Sequence, residues 1–351
     1  MPRPRSIPAT ITLAFLVLAA LAPGAASADT GIRYVSTSGS DANAGTLRSP
    51  WRSVETGLRR MRPGQTLYLR GGTYTETVDL DLPNGTSTAR ITVGSYPGER
   101  AVVRGLVRLR DADWWTFRRF HVTWGGGGYS DHMVKLIGGT GWILERSELW
   151  GARSFANLLV TGNPHRWVVR YNRIHDVYGG ESNLYRSHNI YVHTGTSATA
   201  GRIARNIVYN ASHGSNIKLG YGSGSDPATG TVNVVVRYNT LYSAIQPLVL
   251  AGPTLKHVNV YRNLIVKGTR PSGATYLVRL FEIRYGDDIS VHHNLGSRAD
   301  RFCNDYDGGW TCTRVNDGGN VFPRDPRFDS VTAGGFHPAD SVARAYGRYA
   351  P

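Results

Sequence analysis

The run Val169-Arg170-Tyr171-Asn172-Arg173-Ile174 returns as Ile203-Ala204-Arg205-Asn206-Ile207-Val208 and as Val236-Arg237-Tyr238-Asn239-Thr240-Leu241. Two further copies follow, Val260-Tyr261-Arg262-Asn263-Leu264-Ile265 and Val291-His292-His293-Asn294-Leu295, and Glu145-Arg146-Ser147-Glu148-Leu149 is a degenerate earlier one with Ser in the Asn slot. The Asn positions lie 34, 33, 24 and 31 residues apart, which fits a unit of about 24 residues carrying loops of varying length. Self-similarity on that scale marks a solenoid, whose units bury their apolar sides only by stacking on their neighbours. The strands are short, Gly and Asn separate them, and no long helical pattern intervenes, so the expected fold is an all-β parallel β-helix. The recurring asparagines themselves read as a structural ladder, because buried amides must satisfy one another and the local backbone.

Outward from this core, residues 1–28 read as a secretory signal peptide. Arg3 and Arg5 form a basic start, Ile11 to Leu21 an apolar stretch, and Ala26-Ser27-Ala28 a small-residue cleavage site. The expected product is secreted, extracellular and without a membrane span. Residues 29–76 are expected to form an N-terminal cap with the first strands. Residues 77–351 continue as the β-helix with a C-terminal covering tail, one domain with the segment before. Within 29–76, Trp51, Val54, Leu58 and Met61 follow helical spacing and predict one amphipathic helix. The two cysteines, Cys303 and Cys312, are expected to pair in an exported chain.

The formal net charge is +15, and only four of the forty basic residues are lysines. In an exported chain this points to an acidic polysaccharide rather than nucleic acid as the partner. A monomer is expected.

The stretch YVSTSGSDANAGT…PWRSVETGLRRMRPGQTLYLRGGTYTE, from Tyr34 to Glu76, resembles the N-terminus of secreted right-handed parallel β-helix proteins, many of them polysaccharide lyases. The resemblance implies a right-handed solenoid whose open end is closed by the N-terminal helix. His213-Gly214-Ser215-Asn216-Ile217-Lys218 is also similar to the Asp-Gly-x-x-x-Lys stretch of family 9 pectate lyases. That resemblance implies Lys218 as the catalytic base. His213 stands where the calcium-binding Asp would be, so the calcium site does not carry over with it; no cofactor is certain from the sequence, and calcium dependence stays open.

Inward side chains of a β-helix are committed to the core, so chemistry needs outward positions, read by period-two alternation. Aligning 156–162, 188–194 and 215–220 gives outward columns Asn157/Asn189/Asn216, Leu159/Tyr191/Lys218 and Thr161/His193/Gly220. Tyr191, His193 and Lys218 then share one face as candidate catalytic groups. Lys218 is the base, since an amine can be held neutral and a guanidinium cannot. Tyr191 or His193 is the acid or an alternative base.

Candidate substrate-binding residues are Asn189, Asn216, His188, His213, Lys135 in the Lys218 column, Glu181 and Arg186 on the insertion 178–186, and Arg279 and Arg284. The reaction expected is β-elimination on a uronate-containing glycan. Alternatives are a glycoside hydrolase using Glu181 with Asp176 or Asp226, a uronate epimerase, and a carbohydrate-binding surface protein without catalysis.

Overall fold

The computed structural model describes Met1 and residues 31–351 apart from 129–130, 181–184, 222–225, 268–275, 307–308 and 332–334. The leader reading on residues 1–28 lies outside the described residues, Met1 aside. Among the described residues, no helix is long and apolar enough to cross a membrane.

Every turn of the chain lays down three strands, all paired in parallel with those of the next turn. Val168–Arg170, Arg173–Val177 and Ser187–His193 make one such rung. The first strand of each rung belongs to a ten-stranded sheet, here sheet A, running from Ile32–Val35 to Tyr285–His292. The second and third strands form stacks B and C of a sixteen-stranded sheet that Ile207–Leu219 and Thr240–Ala251 cross without a break.

Alternation explains why these residues make these strands. In sheet A, Leu144, Val169, Ile203, Val236, Val260 and Val291 stand in register on successive rungs and are essentially unexposed. The residues flanking them, such as Arg170 and Arg237, remain half-exposed. In stack C, Leu158/Ile190/Ile217 and Val160/Val192/Leu219 are the inward columns, as the alternation predicts.

The corner between sheet A and stack B carries the repeated asparagine. The residue before each one is left-handed, from Arg146 (φ 52°) and Tyr171 (φ 59°) to Arg262 (φ 57°) and His293 (φ 49°). Each Asn Oδ1 accepts both the backbone N–H and the side-chain Nδ2–H of the Asn one rung earlier. Asn206 thus receives Asn172 at 2.9 and 3.0 Å, and Asn239 receives Asn206 at 3.0 and 2.9 Å. Each Nδ2 also donates to a carbonyl of the preceding rung, as Asn206 does to Val169 at 3.0 Å. The ladder begins at Ser147, whose N–H donates to Asn172 Oδ1. It runs on to Asn320, which accepts from Asn294.

The bend between stacks B and C holds a second ladder, which corrects the sequence reading. Asn157 donates to Asn189 at 2.8 Å, and Asn189 donates to Asn216 at 3.0 Å. Their amides also donate to the carbonyls of His175, Tyr209 and Tyr242. All three asparagines have zero exposure, so Asn189 and Asn216 are corner braces and not outward substrate contacts. The cause is the bend itself. At Asn189-Ile190 and Asn216-Ile217 two consecutive side chains turn inward, and alternation counted across the bend slips by one.

The predicted helix is shorter than its apolar pattern, covering Val54–Arg59 with Ser53 as N-cap. Glu76 accepts the N–H groups of Val54 and Glu55. Val54 and Leu58 enter the main core, and Gly57 lies where a Cβ would come within 2.6 Å of Val35 Cγ2 and 2.9 Å of a Leu67 methyl. Gly57→Val is therefore expected to destabilise the fold by about 1–3 kcal/mol through overpacking, read as a lowered thermal midpoint. An unchanged midpoint would show that the helix does not seat tightly on the first strands.

At the far end, Cys303 and Cys312 are disulfide-bonded with Cα atoms 5.4 Å apart, and Trp310 and Val315 of the segment that follows Cys303 join the core. The tail meets the last rung at Val321, bridged to Leu295. The tail also runs back along the outer face of stack B. Phe328 and Phe336 pack on Tyr242, and Phe336 also on Tyr209. Ala343 and Tyr346 pack on Leu264 and Leu295. These outward apolar side chains of stack B are what the tail covers.

Candidate active site

Stack C presents one outward column that reads Asp79, Arg108, Lys135, Leu159, Tyr191, Lys218, Val249, Arg279 in strand register. Lys218 is thus flanked by Tyr191 one rung earlier and Arg279 two rungs later, about 5 and 10 Å away along the stack. Its Nζ lies 5.1 Å from the Tyr191 ring centre. Around Tyr191 gather three imidazoles, with ring centres at 5.2 Å for His188, 6.1 Å for His132 and 6.5 Å for His193. His193 is covered in turn by Tyr221 at 4.6 Å. Arg279 lies 4.3 Å over Phe281 and 5.8 Å from Tyr185, so two aromatic rings hold its planar fork in place.

The electrostatics follow from burial and from like charge. Burial lowers the Lys218 ammonium to about 8, helped by Arg279 and Arg186 and opposed by Glu282. Burial and the Lys218 charge push His188 well below the ordinary histidine range and lower His193. His132 falls to about 4 through burial, with Lys135 contributing. The face therefore combines neutral imidazoles with an amine that deprotonates within reach of ordinary pH.

Several buried polar atoms here have no hydrogen-bond partner: Nε2 of His132, Nδ1 of His188, Oγ of Ser215 and Oε2 of Glu282. Such atoms cost free energy when left unmade, and two of the four belong to the imidazoles packed against Tyr191. His132, His188 and Ser215 belong to one column, in register through Ala156.

Of the residues expected from sequence, Lys218, Tyr191, His193, His188 and Arg279 come together. Lys135 lies in the same column, three rungs and about 14 Å from Lys218. Arg186 is exposed at the start of the His188 strand, and its charge reaches Lys218. Glu181 lies outside the described residues. Arg284 is exposed at the turn from stack C to sheet A, where its N–H donates to the Pro253 carbonyl, and it does not share the column. His213 is 1% exposed. Tyr178 packs edge-on at 4.5 Å, Ser212 Oγ is 2.9 Å from its Nδ1, and its carbonyl accepts the Tyr185 N–H. It anchors the segment leading to Tyr185 and is not a substrate contact. His132 and Ser215 were missed. Restarting the alternation at Asn216 would have found Ser215, but the rung of His132 carries Met133 in the Asn slot and gives no such mark.

Calcium takes six to eight oxygen ligands. At the place of the family's Asp this chain has an imidazole closed in by Tyr178, and the described residues contain no cluster of three His, Cys, Asp or Glu side chains able to hold a metal. Among the described residues, the donor set beside Lys218 does not fit the ion. Of the carboxylates considered for hydrolysis, Asp176 is on stack B, bonded to His175 and Asn210. Asp226 sits in an exposed turn, where it accepts the Ala228 N–H.

Residues 33–137 match the family model of the Pel9A-like right-handed β-helix region. A pectate lyase of Emericella nidulans, PEL9, is 34% identical over 122 residues, which is 29% of this chain and 29% of that protein. An uncharacterized protein of Bacillus subtilis, YwoF, is 39% identical over 72 residues, or 20% of this chain and 15% of that one. The chain thus aligns with less than a third of either relative's length. The solved structure of XylC with xylose superposes with a TM-score of 0.55 at 12% identity, covering 78% of this chain and 70% of that one. The fold is a right-handed parallel β-helix, and its N-terminal part is similar to that of the Pel9A-like proteins.

Proposed function

We propose that this protein is an extracellular polysaccharide lyase that cleaves a uronate-containing glycan by β-elimination on the outer face of stack C. The observation that carries the reading is Lys218, a mostly buried amine brought to about 8 beside Tyr191. Neutral Lys218 removes the C5 proton. The electron pair left behind forms the C4–C5 double bond as the C4–O bond breaks, and the departing glycosidic oxygen takes a proton from the Tyr191 hydroxyl. Arg279 lies in the same column, where its fork suits the uronate carboxylate whose neutralisation acidifies C5. The similarity to a pectate lyase over 29% of the chain supports the reaction class, and the net charge of +15 supports an acidic polymer.

The test is a panel of polyuronates incubated with the protein with and without calcium, followed by ultraviolet absorbance of the unsaturated uronate. A rise with at least one polymer is the expected result, and the polymer that gives it identifies the substrate. Carbohydrate bound or cut with no absorbance change would favour binding or hydrolysis.

A pH dependence follows with a definite sign. A base must be unprotonated, and Lys218 gives up its proton near 8. The value of kcat/KM should therefore rise about tenfold per unit below pH 8 and level off above it. A rate falling with rising pH in that window would remove Lys218 from the role of base.

A further inference from the structure

The left-handed residues at the corner between sheet A and stack B project from successive rungs as Arg146, Tyr171, Arg205, Tyr238 and Arg262. Arginine and tyrosine alternate, and neighbours pair, with Arg146 5.3 Å from the Tyr171 ring centre and Arg205 4.9 Å from that of Tyr238. The C-terminal tail lies along part of this line. The Gly347 N–H donates to the Arg262 carbonyl, Arg348 sits 4.6 Å over Tyr171, and Arg205 donates to the Ala350 and Pro351 carbonyl oxygens. Beside Arg348 and Tyr349 the line opens into a cleft of about 410 Å³, lined also by Arg146, by Arg173 of stack B and by Arg100 just ahead of a stack B strand.

Four guanidinium groups line this cleft against one carboxylate, Glu148. Glu148 is already engaged by Arg100 and by His175, and Arg173 Nε, 3.8 Å from it, is buried without a hydrogen-bond partner. The guanidinium groups are held by rings, Arg100 over Trp150 and Arg173 over Tyr209, so little side-chain freedom remains to be lost on binding.

We propose that this cleft is a second, non-catalytic site that binds a carboxylate-bearing saccharide, on a different face of the solenoid from Lys218. Planar forks fixed in place match carboxylates bidentately, and the tail already places main-chain carbonyl oxygens against Arg205 of the same line. The cleft would hold another stretch of the acidic glycan that the Lys218 face processes. It rests on that choice of polymer class, though not on the reaction.

The test uses the full chain with Lys218→Ala, so that ligand is not consumed, and titrates trigalacturonate, trimannuronate and sulfate by calorimetry. The comparison is with the same chain also carrying Arg100→Gln and Arg146→Asn. Asn suits the left-handed backbone at 146, and both side chains are largely exposed, so the thermal midpoint should hold. The expected result is two trisaccharides per chain in the first protein and one in the second, with at least tenfold weaker binding at the lost site. In otherwise wild-type protein, Arg100→Gln with Arg146→Asn should leave turnover of a trisaccharide unchanged. Equal stoichiometry and affinity in the two proteins would overturn the proposal. So would sulfate binding as tightly as either trisaccharide, which would leave an adventitious ion only. Loss of elimination by the wild type would count against the Lys218 reading and leave the cleft to the titration.

Discussion

Lys218→Ala should reduce elimination by about 10²–10⁴-fold, the usual contribution of a positioned acid or base, while the β-helix stays folded. The two halves of that expectation come from neighbouring residues. Ile217 and Leu219 point inward and carry the core, so removing the outward side chain between them leaves the inner core intact. Lys218 itself is a cation held against burial and against Arg279, so its loss relieves an electrostatic cost. Lys218→Arg is the sharper variant, since a guanidinium keeps the charge and the approximate reach but cannot be deprotonated in a protein. It should be as inactive as the alanine variant. Far-ultraviolet circular dichroism and the thermal midpoint check the fold. Wild-type rates in either variant would end the assignment of Lys218 as base.

The largest effect on stability should come from the corner ladder. In Asn206→Ala the N–H and Nδ2–H of Asn172 lose their acceptor and the Val169 carbonyl loses a donor, all in a corner without exposure. Each buried group left unmade costs about 1–3 kcal/mol, so a destabilisation of about 2–5 kcal/mol is expected after partial relaxation. Urea denaturation should show a lower midpoint with the slope unchanged. Asn206→Ser should cost less, because Ser147 already fills the equivalent slot and its hydroxyl accepts the Phe120 N–H. A midpoint within experimental error of wild type for the alanine variant would mean that the ladder decorates the corner and does not hold it.

Much of this was legible in the sequence because the repeat is local. Asn172, Asn206, Asn239, Asn263 and Asn294 mark the same corner of successive rungs, and that corner fixes the register of everything after it. The Leu159/Tyr191/Lys218 column follows from that register, and the structure aligns the same residues. What could not be counted from it were events where a strand bends. Asn189 and Asn216 follow the period-two rule on paper, but the bend between stacks B and C turns them inward. His213 lies just ahead of the same bend, and Tyr178 closes over it from a segment whose path no local pattern reveals. His132 joins the site from two rungs before His188, a distance of 56 residues in the sequence. The pairing of Arg100 with Glu148 likewise needs the stack to be built first.

The fate of water separates elimination from hydrolysis directly. The protein should be incubated with its polyuronate in water enriched in oxygen-18, and the early products analysed by mass. Elimination breaks the C4–O bond without water, so the new ends should carry an unsaturated uronate and no label. Label appearing in the new ends, with no unsaturated sugar, would show hydrolysis and end the assignment of elimination.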